Sequence, residues 1–205
     1  MTLVNYQTRE ITCKIVYCGP GRSGKTTNLQ TIYSRVPDER KGRMLSLATQ
    51  TDRTLFFDFF PLDLGRISGF QTRLQLYTVP GQVYYRGTRR LVLQGVDGVV
   101  FVADSQTRQL RENIESFQDL HDNLAEQGVD ARSVPLVIQY NKHDLPRELI
   151  LGAAELSEAL NFRAVPEFSA DALRGDGVFE TLRGIADLVL KKLSAGSRDA
   201  VGVRA

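Results

Sequence analysis

The 205 residues carry 26 lysines and arginines against 24 aspartates and glutamates, with 42% hydrophobic and 24% charged residues. These are globular proportions, so wholesale disorder is excluded, and a net charge of +2 makes no electrostatic case for a nucleic-acid partner. The length suits one domain over 1–205, with a core at about 11–193 and a flexible tail at 194–205, and no run approaches the roughly 18–20 apolar residues of a membrane span.

Met1–Glu10 is polar and lacks the apolar centre of a secretory signal. Thr2 stands where a myristoylated chain needs glycine, and the chain ends Val203-Arg204-Ala205 without a prenylatable cysteine. A cytoplasmic protein with no direct membrane anchor is therefore expected. Ile11–Cys18 is β-branched and aromatic and predicts a strand. Its Cys13 and Cys18, five apart, point to opposite faces and cannot easily bridge, which suits a reducing compartment.

Gly19-Pro20-Gly21-Arg22-Ser23-Gly24-Lys25-Thr26 then matches G-x-x-x-x-G-K-S/T between that strand and a predicted helix with apolar positions at 29, 32, 33 and 36. A glycine-rich turn between strand and helix aims backbone N–H groups at an anion, and the helix dipole adds to them. Gly19, Gly21, Arg22, Ser23, Gly24 and Thr27 are expected to line the phosphates. Lys25 reaches the β- and γ-phosphates and the Thr26 hydroxyl takes Mg²⁺.

The polar stretch Pro37–Arg53 is too long for an idle connection and predicts a functional loop. Thr54–Leu64 and Phe70–Val79 predict an antiparallel hairpin about the turn 65–69. A helix over 84–93, a buried strand over 98–104 and a striped helix over 108–126 follow. Next come a strand over 134–140, a helix over 153–160, a strand near 164–168 and a helix over 178–193. Alternation of this kind predicts an α/β fold, a mixed, mainly parallel sheet flanked by helices, and with the motif at 19–26 it resembles a P-loop NTPase.

Asn141-Lys142-His143-Asp144 follows a buried strand, at the edge where such sheets bind ligands. A carboxylate there accepts from both N1–H and the 2-amino group of guanine, and adenine has no matching donor pair. The same four residues also read as a polar turn ending a strand.

With these motifs the chain resembles a small Ras-like GTPase over residues 11 to 193. The resemblance implies guanine contacts from Asn141, Lys142 and Asp144, a third contacting element at Ser169-Ala170, and a γ-phosphate-sensing, Mg²⁺-binding threonine at Thr54. It also implies GTP/GDP and Mg²⁺ as ligands. One residue departs from the pattern. Where Ras-like proteins carry D-x-x-G-Q, this chain has Thr78-Val79-Pro80-Gly81-Gln82, so the metal-side aspartate is a threonine. A hairpin turning near Ile67-Ser68 places Thr78 opposite Phe57 or Asp58, and Asp58 is the carboxylate that can replace the missing one. Its alternative is a polar position on an edge strand.

Thr78–Gln82, Leu47-Ala48-Thr49 and Arg53–Phe59 resemble one subgroup, the MglA-type GTPases of bacterial gliding motility and cell polarity. That resemblance implies slow GTP hydrolysis, a homodimeric MglB-type roadblock-domain activator, polarity and motility effectors, and a place at a cell pole through partners. In the expected chemistry Gln82 orients the attacking water, Gly21 leaves room beside it, Gly81 contacts the nucleotide, and Arg53 supplies a cation in cis. Arg53 also reads as a solvated loop arginine, and Arg86, Arg89 and Arg90 read as a basic surface after the second switch. A guanine-nucleotide scaffold without hydrolysis is the alternative that the missing aspartate leaves open.

Overall fold

The strand before the phosphate loop, β2 (Glu10–Cys18), lies in the middle of the sheet, with Ile15, Val16 and Tyr17 fully buried between two helical layers. The computed structural model describes residues 3–48, 56–81 and 85–201. Among these the sheet also holds β1 (Leu3–Asn5), β3 (Leu45–Ala48), β4 (Phe56–Ile67), β5 (Phe70–Thr78), β6 (Gly98–Asp104), β7 (Leu136–Asn141) and β8 (Glu167–Ala170). Their order is β3-β4-β5-β2-β6-β7-β8, with β1 paired antiparallel to the start of β2. From β5 to β8 all pairs are parallel, whereas β4 is antiparallel to β5 and β3 to β4.

Parallel neighbours need crossover connections, and the helices supply them. α1 (Lys25–Arg35) and α5 (Val178–Val201) cover one face. α2 (Arg86–Leu93), α3 (Leu110–Ala125) and α4 (Ala153–Leu160) cover the other. The expected α/β fold is thus observed. Gly98 lets α5 lie close on β6, since a Cβ there would stand 2.6 Å from the Val189 side chain. None of the helices, among the described residues, is long and apolar enough to cross a membrane.

Side-chain alternation along β2 sends Cys13, Ile15 and Tyr17 to the α1/α5 layer and Val16 and Cys18 to the opposite one. The two cysteines therefore cannot meet, and both are buried and free. Burial pushes both thiols up to about 12. At pH 8 an alkylating reagent is expected to leave native protein unlabelled by intact-mass analysis and to add two groups after unfolding. Labelling of the folded chain would contradict this packing.

The hairpin turns one step later than the sequence predicts. Ile67 pairs with Phe70, and Ser68 and Gly69 both take positive φ, 50° and 85°, as a two-residue type I′ loop requires. A bulge between Asp63 and Gly65 then shifts the register back by one, so Phe59 faces Tyr77. Four further elements differ from expectation. The loop 37–53 contains β3, whose four residues are too few to show an alternation. The strand expected near 164–168 begins at Glu167, because Ala164 takes a φ of 49° and Pro166 precedes it. α2 begins at Arg86, and α5 runs on past Leu193.

Candidate functional site

Loops following β2, β5, β7 and β8 converge at the carboxyl edge of the sheet, the ligand-binding edge of open α/β folds. The loop 19–24 is shaped by steric exclusion. Gly19 has φ 139°, and a Cβ on it would lie 2.2 Å from the Val102 carbonyl oxygen. Gly24 has φ 100°, and its Cβ would lie 2.1 Å from Asn141 Nδ2. Gly24 caps α1 without a side chain, leaving the first N–H groups of the helix to a ligand. Arg22 is exposed and points out of the loop, with φ 63°, while Thr27 is half-buried.

Lys25 is 7% exposed, and its Nζ donates to the carbonyls of Gly19 at 2.9 Å and Pro20 at 2.6 Å. Burial brings its pKa down to about 8, an effect partly opposed by the Cys18 thiol and reinforced by the Arg89 guanidinium. The Ser23 hydroxyl is buried with no partner among the described residues. A buried ammonium held, among the described residues, by carbonyl oxygens alone, next to an unpaired hydroxyl and the uncapped start of a helix, is the complement of a polyphosphate. Gly81 packs on this loop from the β5 side. A Cβ on it would stand 2.4 Å from both the Gly21 nitrogen and the Pro20 carbonyl carbon, so the half-buried Gly21 and Gly81 meet backbone to backbone.

At the first turn of α1 the Thr26 hydroxyl donates to Asp58 Oδ2 at 2.6 Å. Asp58 is 8% exposed and lies one step beyond the Phe59–Tyr77 pair, across from Thr78. Thr78 Oγ1 donates to Asp58 Oδ2 at 3.0 Å and accepts from the Asp58 N–H at 2.8 Å. Ser46 on β3 donates to Oδ1 at 2.7 Å. The structure thus brings Thr26, Asp58, Thr78 and Ser46 together. One carboxylate with three hydroxyls is a hard, all-oxygen donor set that fits a magnesium ion shared with phosphate. Ser46 was not legible beforehand, because the loop around it shows no pattern.

The third corner is built around Asn141. Its Nδ2 donates to the Ser23 carbonyl at 2.7 Å, and its Oδ1 accepts from the Ala172 N–H at 2.9 Å. One side chain thereby joins the phosphate loop to the loop after β8. Lys142, with φ 68°, donates from Nζ to the buried Asp104 at 2.5 Å. Asp104 is held in turn by Asn113 of α3, which bonds both its N–H and its carbonyl. Asp144 is exposed and accepts no hydrogen bond from the described residues. Ser169 and Ala170 of β8 pair with Tyr140 and Asn141 of β7, and the Ala170 carbonyl accepts from the His143 N–H at 3.1 Å.

Arg53, Thr54 and Gln82 lie outside the described residues. The basic surface expected at 86–90 is corrected in one respect. Arg86 is exposed and pairs with Glu126, but Arg89 is only 9% exposed. Arg89 donates to Asp119 of α3 at 2.7 and 3.3 Å and to the Pro80 carbonyl at 3.3 Å, bracing the segment that carries Gly81.

A family model described as the ADP-ribosylation factor family (Arf) matches residues 1–189. The chain is 58% identical over 196 residues to the mutual gliding-motility protein MglA of Myxococcus xanthus (strain DK1622), covering 96% of this chain and all of that protein. It is 25% identical to ADP-ribosylation factor-like protein 6 of Caenorhabditis briggsae over 87% of both chains. To the Caenorhabditis elegans protein of the same name it is 24% identical, over 88% of both.

Proposed function

This chain belongs to the ADP-ribosylation factor family of small GTPases, in its MglA-type group, and from that membership we propose that it is a switch for bacterial gliding motility and cell polarity. As a member it binds guanine nucleotide and hydrolyses GTP to GDP and phosphate. The observation that carries the reading is the joining of the Lys25 loop to the Asn141–Asp144 segment and the loop after β8 through one buried asparagine, which supports a phosphate site beside a guanine site.

In this reading Gly19, Gly21, Arg22, Ser23, Gly24, Lys25, Thr26 and Thr27 hold the phosphates. Asn141, Lys142, Asp144, Ser169 and Ala170 form the base pocket, with Asp144 selecting guanine. Thr26, Thr54 and Asp58 would hold magnesium, which would supply positive charge against the phosphates. Phosphoryl transfer asks the protein chiefly for position and charge. Gln82 orients the attacking water, Gly81 closes on the γ-phosphate side, and Arg53 adds the cation. Hydrolysis is slow alone and is stimulated by a homodimeric MglB-type roadblock-domain activator; the GTP form engages polarity and motility effectors and reaches a cell pole through partners.

The rival reading is a nucleotide-binding scaffold that has lost hydrolysis, favoured by Thr78 at the aspartate position. The carboxylate of Asp58 beside Thr26 weighs against it. Single-turnover GTP hydrolysis with and without the activator separates the two. The parent is expected to be accelerated, and Arg53→Ala to lose about 10³–10⁵ of the stimulated rate, as for a cationic finger. Gln82→Ala is expected to lose the stimulation as well. An unchanged stimulated rate in Arg53→Ala removes Arg53 from the site, and no acceleration of the parent favours the scaffold.

A further inference from the structure

Two residues before Asn141, and therefore on the same face of β7, stands Gln139, fully buried. Its Nε2 donates one proton to Asn28 Oδ1 and the other to Thr181 Oγ1, each at 3.0 Å. Asn28 passes the connection up α1, donating from Nδ2 to the Gly24 carbonyl at 3.0 Å. Thr181 passes it along the start of α5, donating to the Gly177 carbonyl at 2.6 Å. Gly177 takes φ 71°, and a Cβ on it would stand 2.1 Å from the Ser169 carbonyl oxygen, so its backbone rests directly on the Ser169–Ala170 element. The chain of bonds runs from the last glycine of the phosphate loop, beneath the sheet edge, to the base loop.

All three side chains are fully buried. Their orientation is fixed, because a flipped Gln139 amide would set its oxygen against Asn28 Oδ1. Gln139 Oε1 is left without a partner among the described residues. A buried polar bridge with an unpaired oxygen is poor value for stability, since apolar side chains of the same shape would hold this core as well or better. What the bridge adds is direction and fixed spacing.

We propose that Asn28, Gln139 and Thr181 form a second rung below Asn141, positioning residues that hold the phosphate and guanine subsites at one separation. The inference rests on the nucleotide site proposed above. Asn141 ties the two loops at the surface of the site, and the Gln139 rung ties the helices that carry them. A nucleotide gripping both subsites then gains from their fixed distance.

The test is the triple variant Asn28→Leu, Gln139→Leu, Thr181→Val, read by apo melting temperature and by release of mant-GDP in excess Mg²⁺. The triple variant is expected to melt, nucleotide-free, at or above the parent and yet to release mant-GDP about tenfold faster, within the usual range of coupling between sites. Release within twofold of the parent at equal melting temperature overturns the proposal. Should the triple variant not fold, Thr181→Val alone decides, because it keeps shape and removes both bonds of the Thr181 hydroxyl, the one from Gln139 and the one to Gly177. Release at least threefold faster from the folded variant supports the rung, and unchanged release overturns it. Retention of mant-GDP by the parent tests the site itself separately, since no retention there would sink the site and leave the ratio undefined.

Discussion

Replacing Asp144 with asparagine is expected to lower the affinity for GDP by about 10²–10⁴-fold and to raise that for xanthosine diphosphate. The carboxylate is exposed and unclaimed by the described residues, so the substitution disturbs no packing and acts only on the ligand. Its neighbours are already committed: Lys142 to Asp104 and Asn141 to the Ser23 and Ala172 backbone. Guanine presents two donors, N1–H and the 2-amino group, to an acceptor-only carboxylate. Hydrogen bonds to a charged group are worth about 1.5–3 kcal/mol each, and 1.4 kcal/mol is tenfold in affinity. Asparagine offers one acceptor and one donor, which matches N1–H and the 2-oxo group of xanthine instead. Competition against mant-GDP measures both affinities, and an unchanged preference for GDP would remove Asp144 from the base pocket.

Asp58→Asn is expected to reduce GTP hydrolysis at saturating Mg²⁺ by about 10²–10³-fold, the usual cost of losing one preorganised charge-stabilising group. The amide keeps the size of the side chain but has one acceptor where the carboxylate has two oxygens engaged by Thr26, Thr78 and Ser46. It also removes the formal negative charge that a hard cation seeks. GDP affinity measured in EDTA is expected to match the parent, because Lys25 and the loop amides do not depend on Asp58. A loss of metal-free affinity as large as the loss of rate would mean that Asp58 only props up the phosphate loop.

How much of this was legible in the sequence depends on the length scale of the signal. The phosphate loop was legible because a contiguous string of glycines and a lysine answers a local steric demand, as the Val102 and Asn141 contacts of Gly19 and Gly24 make plain. Asn141–Asp144 was legible because a polar tetrapeptide interrupts a run of buried residues. The Asp58–Thr78 meeting could be inferred from a two-residue turn and a strand period of two, although the bulge after Asp63 had to fall where it does for the register to agree. Ser46 gave no local sign, since its role arises only when β3 is laid against β4.

Arg89 misled for a related reason. Three arginines in five residues look like a solvated face, and only the position of α3 reveals that Asp119 takes one of them inward. Gln139 was hidden inside a strand whose preceding residues are all apolar. Its partners come from residues 28 and 181, far apart in the chain, and no short window contains them.

In the proposed site the metal-side carboxylate stands across the hairpin, on β4 at Asp58 in place of β5 at Thr78. Exchanging the two facing residues tests it most directly, by single-turnover GTP hydrolysis across a Mg²⁺ titration. Asp58→Thr is expected to lose the Mg²⁺-dependent rate, and the double variant Asp58→Thr, Thr78→Asp to recover most of it, because the carboxylate returns to the same corner from the opposite strand. A parental rate in Asp58→Thr, or a double variant as inactive as the single, would contradict the claim.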